Sequence, residues 1–348
     1  MSIQYFKKEY FRNMILVTGG TGLVGSHLLY FLLKEERDIR AIYRKSASFE
    51  KVKLVFSYYT EEVEELFNKI DWVEANITDV PALTEAFKGI THVYHAAAFI
   101  SFNPKHFNYL RKVNIEGTAN IVNLCIENKV EKLCYVSSIA TLGKELDGSA
   151  TSEKTEWNQE AKNSVYAITK YGAEMEIWRG SQEGLDVVIV SPGVVLGSGH
   201  WKSASGRIFS SVYKGMKYYT TGGSGFVDVH DVIKMMLFLM NSAIKNELYI
   251  AVGHIVLYKD LLEKTAKYLN KEAPKKEIAK WKLLVISSLD SIKKTLFGGK
   301  RKLLKATVHS LYTISTFSSQ KATEQLSFIF TPLDKSLERI SKDFKKIK

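Results

Sequence analysis

A short apolar run, Met14-Ile15-Leu16-Val17-Thr18, enters a glycine-rich turn, Gly19-Gly20-Thr21-Gly22-Leu23-Val24-Gly25, and a helix-like segment from Ser26 to Lys34 leaves it. Glycines at 19, 22 and 25 let the backbone turn tightly, approach a pyrophosphate closely and pack the following helix against the strand. The N-terminus of that helix offers unpaired N–H groups and a partial positive charge to phosphates. A glycine-rich turn alone says little. With a strand before it and a helix after it, the turn reads as a dinucleotide cradle. Gly19, Thr21, Gly22, Leu23, Val24 and Gly25 are its candidate cofactor contacts.

That unit opens an alternation of strands and helices. Strand signals fall at 14–18, 39–43, 70–74, 92–95, 132–137 and 186–191, and helix signals at 22–34, 81–88, 108–128 and 164–183. The pattern predicts an α/β fold: a Rossmann-type, doubly wound parallel sheet with helices on both faces and right-handed crossovers. After Ser191 the pattern changes. Residues 197–225 read as loops with a short helix, 226–240 as a short strand leading into an apolar helix, 247–252 as a strand and 257–269 as a helix. Trp281, Leu284, Val285, Leu289, Ile292 and Leu296 recur at helical spacing. The expected organisation is a Rossmann domain over 14–191, with 226–252 contributing to it. A smaller, mainly helical substrate lobe follows from 192–225 and 253–348.

Composition narrows the class. The chain has 348 residues, 45% of them hydrophobic and 25% charged, which suits a globular protein with a large core. The two cysteines, Cys125 and Cys134, form neither a disulfide framework nor a metal-ligand spacing. They read as small core residues, and a reducing, cytoplasmic setting is expected. Residues 1–13 lack the apolar stretch of a signal peptide and read as an N-terminal extension. No run reaches the roughly 18 apolar residues of a membrane span. The net charge of +12 is uneven: 271–305 hold eleven Lys or Arg and three Asp or Glu. A basic surface attracts nucleic acid, anionic lipid or an anionic substrate. With no zinc-finger spacing, RNA-binding aromatic signature or basic repeat, no nucleic-acid partner is expected. The basic amphipathic segment 281–304 reads either as a buried lobe helix or as a weak membrane-surface contact.

The second chemical motif is Tyr166-Ala167-Ile168-Thr169-Lys170. Spacing of i, i+4 on a helix places the tyrosine and lysine on one face. A nearby ammonium favours phenolate and lowers a tyrosine pKa, so such a tyrosine can exchange a proton near neutral pH. Ser137-Ser138 ends a strand 28 residues before Tyr166, counting from Ser138. A serine hydroxyl there can hold a reacting oxygen, because ligands of open α/β sheets bind at strand C-terminal ends.

Together these pieces resemble an extended short-chain dehydrogenase/reductase of the NAD-dependent epimerase/dehydratase family. The matching segments are 18–25, His95-Ala96-Ala97-Ala98, Val113-Asn114-Ile115-Glu116-Gly117-Thr118, Ser137-Ser138, Tyr166-x-x-x-Lys170, Ser191-Pro192-Gly193 and Phe226-Val227-Asp228-Val229-His230-Asp231-Val232. They occur in the family's order over about residues 14–240. The resemblance implies Tyr166 as acid/base, Lys170 as the group that lowers its pKa and binds the nicotinamide ribose, and Ser138 as the group that orients the substrate oxygen. It also implies that Ala96, Ala97 and Ala98 pass beside the cofactor, with Pro192, Gly193 and Val194 near the carboxamide. Asn114 reads equally well as a helix residue bonded to backbone. His95, His230, Asp228 and Asp231 read as structural, and no metal site is expected.

An acid after the second strand would bond a ribose 2′-OH, but this strand ends Tyr43-Arg44-Lys45, with no acid until Glu50. Arg44 can offer a guanidinium to a 2′-phosphate, so NADP(H) is expected over NAD(H). Asn76-Ile77 stands where relatives carry Asp-Leu or Asp-Val, and an Asn carbonyl can still accept from an adenine amine. Family membership alone does not decide the reaction. Ile139 and Ala140 stand where dehydratases place an acid pair, which argues against sugar dehydration. Ser191-Pro192-Gly193-Val194-Val195-Leu196-Gly197 resembles the dihydroflavonol-reductase and 3β-hydroxysteroid-dehydrogenase branches. Phe99, Phe102, Val194, Leu196 and Phe226 form an expected apolar pocket for a small-molecule carbonyl or alcohol. The expected reaction is NADPH-dependent reduction of a ketone or aldehyde. The alternatives are a nucleotide-sugar 4-epimerase with retained NAD and a catalytically silent nucleotide sensor. The resemblance also implies a homodimer through 108–128 and 164–183. The tail from 305 onward, with its Ser319-Gln320-Lys321-Ala322 piece, is assigned to the substrate lobe.

Overall fold

A computed structural model describes residues 14–145, 147–203, 205–297 and 304–348. The expected N-terminal extension, 1–13, lies outside the described residues. In chain order the first strands and helices are β1 (Met14–Thr18), α1 (Leu23–Lys34), β2 (Asp38–Tyr43), α2 (Phe49–Phe56), α3 (Val63–Asn68), β3 (Asp71–Glu74), α4 (Val80–Ala86) and β4 (Ile90–His95). There follow α5 (Phe107–Leu110), α6 (Gly117–Glu127), β5 (Lys132–Val136), α7 (Val165–Gln182) and β6 (Asp186–Pro192). The later part holds β7 (Val194–Leu196), α8 (Gly206–Tyr213), β8 (Tyr218–Tyr219), β9 (Gly223–Asp228), α9 (Val229–Asn241), β10 (Glu247–Ala251), β11 (His254–Leu257) and α10 (Tyr258–Leu269). It closes with β12 (Lys276–Glu277), α11 (Lys280–Phe297), α12 (Lys305–Ser310), α13 (Gln320–Leu326) and α14 (Leu333–Lys346).

Seven strands form one parallel sheet in the order β3-β2-β1-β4-β5-β6-β10. Strands flanked on both sides and covered on both faces read as continuous apolar runs. Leu16 and Val17 of β1 and Val187 to Val190 of β6 are fully buried for that reason. One face packs Leu28, Leu29, Val55, Met235 and Leu239 from α1, α2 and α9. The other packs Leu83, Val122, Cys125 and Ile177 from α4, α6 and α7. Burial pushes the thiols of Cys125 and Cys134 up, as expected of core cysteines.

Three departures from the sequence reading have physical causes. Residues 49–68 carry two helices the reading leaves unassigned; Val52, Val55 and Phe56 anchor the first on the sheet. The single helix expected at 108–128 is broken by a π-helical turn over Arg111–Glu116, a geometry that recurs at functional sites. The later segments also divide differently. Strand β10 joins the large sheet, while β9 pairs with β7 and β11 in a small one. Helix α13, assigned from sequence to the substrate lobe, packs against β10 instead. Ser319 Oγ donates to Val252 O at 2.9 Å, and Lys321 Nζ donates to Leu248 O at 2.7 Å. A separate core joins α8, α10 and α14 through Phe209, Leu261, Leu337, Ile340 and Phe344.

Candidate active site

The strand order reverses between β1 and β4, so the connections leaving their C-terminal ends diverge and open a crevice there. The glycine loop lies in it. Gly19 has φ +73°, and Gly22 N–H donates to Gly19 O at 2.9 Å, closing the turn. A Cβ at Gly19 would stand 2.7 Å from the Ala96 carbonyl carbon, so only glycine lets these two segments meet. Gly22 caps α1 without a side-chain bond, and the first turn holds no acid, which leaves the helix N–H groups for an anion.

Gly19, Thr21, Gly22, Arg44, Asn76, Ile77, Ala96, Ala97 and Ala98 all line one cleft. Ile42, Tyr43, Ala75 and Val113, not singled out from sequence, complete its wall. They are apolar or aromatic neighbours of the recognised positions, and nothing in their spacing marks them. Asn76 Oδ1 accepts the Thr78 N–H at 3.2 Å, which fixes this side chain in a turn. A cradle that a Cβ would fill, an open helix end and Arg44 at the far rim fit a dinucleotide.

Other expected contacts stand outside the lining of this cleft. Leu23 and Val24 belong to the first turn of α1, outside the cleft lining. Gly25 is buried beneath the loop, and a Cβ there would come 2.2 Å from Gly19 O. Gly25→Ala should therefore push the loop out of place. Dinucleotide affinity should fall at least about tenfold, and stability by about 1–3 kcal/mol. Cofactor titration and thermal melting measure the two. Pro192, Gly193 and Val194 also stand outside the cleft lining. Gly193 N–H donates to Ala251 O at 3.0 Å, and a Cβ at 193 would approach Gly225 O at 2.5 Å. This glycine lets the small sheet cross the large one. Leu196 and Phe226, expected in the substrate pocket, are each 1% exposed and belong to the small core. Phe102 does reach the site: its ring meets Tyr166 edge-on at 5.4 Å.

At the end of β5, Ser138 caps a short 3₁₀ turn, accepting the Ala140 N–H at 3.2 Å. Tyr166 stands at the start of α7, where Ser164 Oγ accepts the Ala167 N–H at 3.1 Å. The Ser138 side chain stands close enough to the Tyr166 phenol to act on its ionisation. Burial pushes the Tyr166 phenol up to about 12, against the lowering effect of Ser138.

Lys170 departs from the expectation that it lowers the Tyr166 pKa. Its ammonium donates to Tyr135 Oη at 2.5 Å and to Val136 O at 2.9 Å, and lies 4.1 Å from the Tyr135 ring centre. Burial pulls it down to about 7, opposed by Glu174. Glu174 Oε2 in turn accepts from Ser137 Oγ at 2.5 Å and Thr141 Oγ1 at 2.9 Å, clamping both sides of Ser138 to α7. Burial raises the Glu174 carboxyl, against these bonds. Sequence reasoning missed Tyr135 and Glu174. Glu174 had a signal: it falls at i+8 from Tyr166, on the same helix face as Lys170. Tyr135 had none beyond strand alternation.

Asn114 Oδ1 accepts the Phe99 N–H at 2.8 Å, and its amide donates to Phe99 O at 3.1 Å and Thr169 Oγ1 at 3.2 Å. It fastens the π-helical turn to the strand-end loop and to α7. His95 is equally engaged. Its Nδ1 lies 2.6 Å from Thr18 Oγ1, and its Nε2 3.0 Å from Thr118 Oγ1. Burial pulls its pKa down to about 3, with a smaller push from Lys170. His230 is bonded to Tyr59 Oη at 2.6 Å. Asp228 caps α9 and accepts from Arg339, while Asp231 accepts both Thr331 N–H and Oγ1. These groups tie the C-terminal tail to α9.

A dinucleotide cradle at the switch point, with Ser138 after a strand end and Tyr166 at the start of the next long helix, is the arrangement of one large enzyme family. The sequence profile of the NAD dependent epimerase/dehydratase family matches residues 15–252. This chain belongs to that family. It is an NAD(P)-dependent enzyme of the extended short-chain dehydrogenase type. It is 30% identical over 222 residues to a "Putative dihydroflavonol 4-reductase" of Synechocystis sp., a match covering 63% of this chain and 61% of that protein. It is 27% identical to "Sterol demethylase protein B" of Methylococcus capsulatus, over 68% of this chain and 69% of the other. Among solved structures, a UDP-glucose 4-epimerase of Thermotoga maritima superposes with a TM-score of 0.74 at 20% identity, covering 96% of this chain and 99% of the other. Among the described residues, no helix is long and apolar enough to cross a membrane.

Proposed function

We propose that the enzyme reduces a ketone or aldehyde on a hydrophobic small molecule with NADPH, using Ser138, Tyr166 and Lys170. The observation that carries this reading is the Tyr166 phenol beside Ser138, kept protonated by burial and met edge-on by the Phe102 ring at 5.4 Å. Carbonyl reduction needs a proton donor at the developing alkoxide, and a neutral phenol is one. A nicotinamide dinucleotide in the cradle supplies the hydride. Ser138 Oγ holds the carbonyl oxygen, and Tyr166 Oη gives it the proton. Lys170, held by Tyr135 and Val136, is fixed on α7 to bind the nicotinamide ribose. Phe102 presents an apolar edge beside the reacting oxygen. Ile139 and Ala140 after Ser138 supply no acid for dehydration. The names of the two relatives, a reductase of dihydroflavonols and a sterol demethylase protein, agree with a hydrophobic skeleton.

Arg44, exposed at the rim of the cleft, supports NADPH over NADH, because a guanidinium pairs with a 2′-phosphate. A panel of ketones and aldehydes, followed by NADPH oxidation, tests the reaction. A reductase consumes one NADPH per product. Turnover of a nucleotide sugar without added cofactor, by protein that purifies with bound NAD, would contradict it. Arg44→Ala should weaken NADPH binding by roughly ten- to a hundredfold and leave NADH nearly unchanged. Equal losses for both would remove Arg44 from the 2′-phosphate.

A further inference from the structure

The positive charge of this chain is concentrated. Residues 271–305 carry eleven Lys or Arg against three Asp or Glu, an excess of eight in a chain whose net charge is +12. Helix α11 runs through this stretch. Its Trp281, Val285 and Ile286 are 63%, 49% and 47% exposed, and Lys280 and Lys282 beside them are exposed too. Ser287 is fully buried. At about 100° per residue, Trp281, Val285, Lys282 and Ile286 fall within an arc of about 140°, and Ser287 falls outside it. Leu283 and Leu284 on the Ser287 side are half-buried, while Trp281, Val285 and Ile286 form a second apolar face that stays exposed.

A second exposed segment adjoins it in the chain. Strand β12 leads into α11 and pairs in parallel with β8, and Lys276 N–H donates to Lys217 O at 3.2 Å. This pairing brings exposed Met216, Lys217 and Tyr218 beside exposed Lys275 and Lys276. The Lys275 ammonium is paired with Glu272 at 3.1 Å.

We infer that this face docks on an anionic phospholipid bilayer. Tryptophan and tyrosine settle at the headgroup level, while lysine stems lie along apolar surface and lift their ammonium groups to phosphate. A helix with exposed Trp, Val and Ile among lysines lies in the interface plane rather than crossing it. Exposed Lys217, Lys276, Lys280 and Lys282 give this face a positive excess that is complementary to anionic headgroups. A second copy of the chain would bring the same positive excess against itself and repel. Nucleic acid would meet the lysines but leave Trp281, Val285 and Ile286 without apolar partners. The docking face is separate from the cofactor cleft and does not depend on the reaction.

The test uses the full chain and vesicles of phosphatidylcholine, with or without about 30 mol % phosphatidylglycerol. The native protein should float with the anionic vesicles, not with the neutral ones, and should detach as salt rises. Trp281→Glu combined with Val285→Glu should weaken this binding by at least about tenfold. Lys280→Glu combined with Lys282→Glu should do the same, by reversing two charges. Both variants should bind NADPH as the native chain does, which shows that they fold. Failure of the native chain to bind anionic vesicles, or equal binding by native and variant proteins, overturns the proposal. So does binding that ignores anionic lipid. A native dimer that Trp281→Glu splits, without vesicle binding, would assign the face to a second copy. Duplex DNA binding in place of vesicle binding would assign it to nucleic acid.

Discussion

Tyr166→Phe should lower kcat by about a thousandfold while NADPH binds as tightly as before. The substitution removes one oxygen and leaves the ring, so the edge contact with Phe102 and the fold of α7 stay in place. What disappears is the proton donor; general acid catalysis is worth roughly 10²–10⁴ in rate. The Ser138 hydroxyl keeps the Ala140 N–H, so the 3₁₀ turn survives. Stopped-flow turnover with a cofactor titration separates the two effects. A variant with near-native kcat would remove the phenol from the chemistry. A variant that lost NADPH binding in step with kcat would make Tyr166 a binding residue instead.

Acidification from pH 7 to pH 4.5 should cost the folded chain several kcal/mol. Burial pulls four histidines far down: His27 and His95 to about 3, His200 and His230 to about 4. Each is enclosed by partners. His27 Nε2 lies 3.0 Å from Ser198 O and its other nitrogen meets Tyr59 Oη, which also meets His230. His95 lies between two threonines, and His200 Nε2 is 3.4 Å from Ser26 Oγ. The unfolded chain protonates these rings near pH 6.5, and the folded chain does so only near pH 3 to 4. Unfolding therefore takes up protons in that window. The stability is complete above about pH 6.5 and drains as pH falls. Each proton contributes about 1.4 kcal/mol per pH unit, so four approach about 5 kcal/mol per pH unit near pH 5. Glu174, Asp231 and Asp343, held up mainly by burial, pull the other way, because the folded chain protonates them first. Four large histidine shifts should outweigh these. Denaturant midpoints measured between pH 7 and 4.5 check this; a flat profile would mean that the rings are solvated.

The legible part of this chain was the part governed by local rules. The strand–glycine–helix unit at 14–34 was readable because Gly19, Gly22 and Gly25 answer to turn geometry that few other residues satisfy. The parallel sheet was readable because buried strands are runs of Val, Ile and Leu. Helices α2 and α3 were missed because Val52, Val55 and Phe56 form only a short apolar stripe among lysines and glutamates. The pocket residues were misplaced for a different reason. Hydrophobicity marks Leu196 and Phe226 as apolar but does not say whether they line a cavity or fill a core. The small sheet decides that by pairing β7 with β9.

The sequence by itself marked the cradle and the serine–tyrosine–lysine set as candidates. A tight turn, a helix start and an i, i+4 pair are properties of a few neighbouring residues. Only the tertiary structure decided what Lys170 and Ser138 touch. Tyr135 and Val136 come from β5, yet they hold a lysine on α7. Glu174 on α7 grips Ser137 and Thr141 on either side of Ser138. Such contacts join residues more than thirty positions apart in the chain, counting from Thr141 to Glu174. They depend on how one helix lies across one strand end, and no local pattern carries that angle.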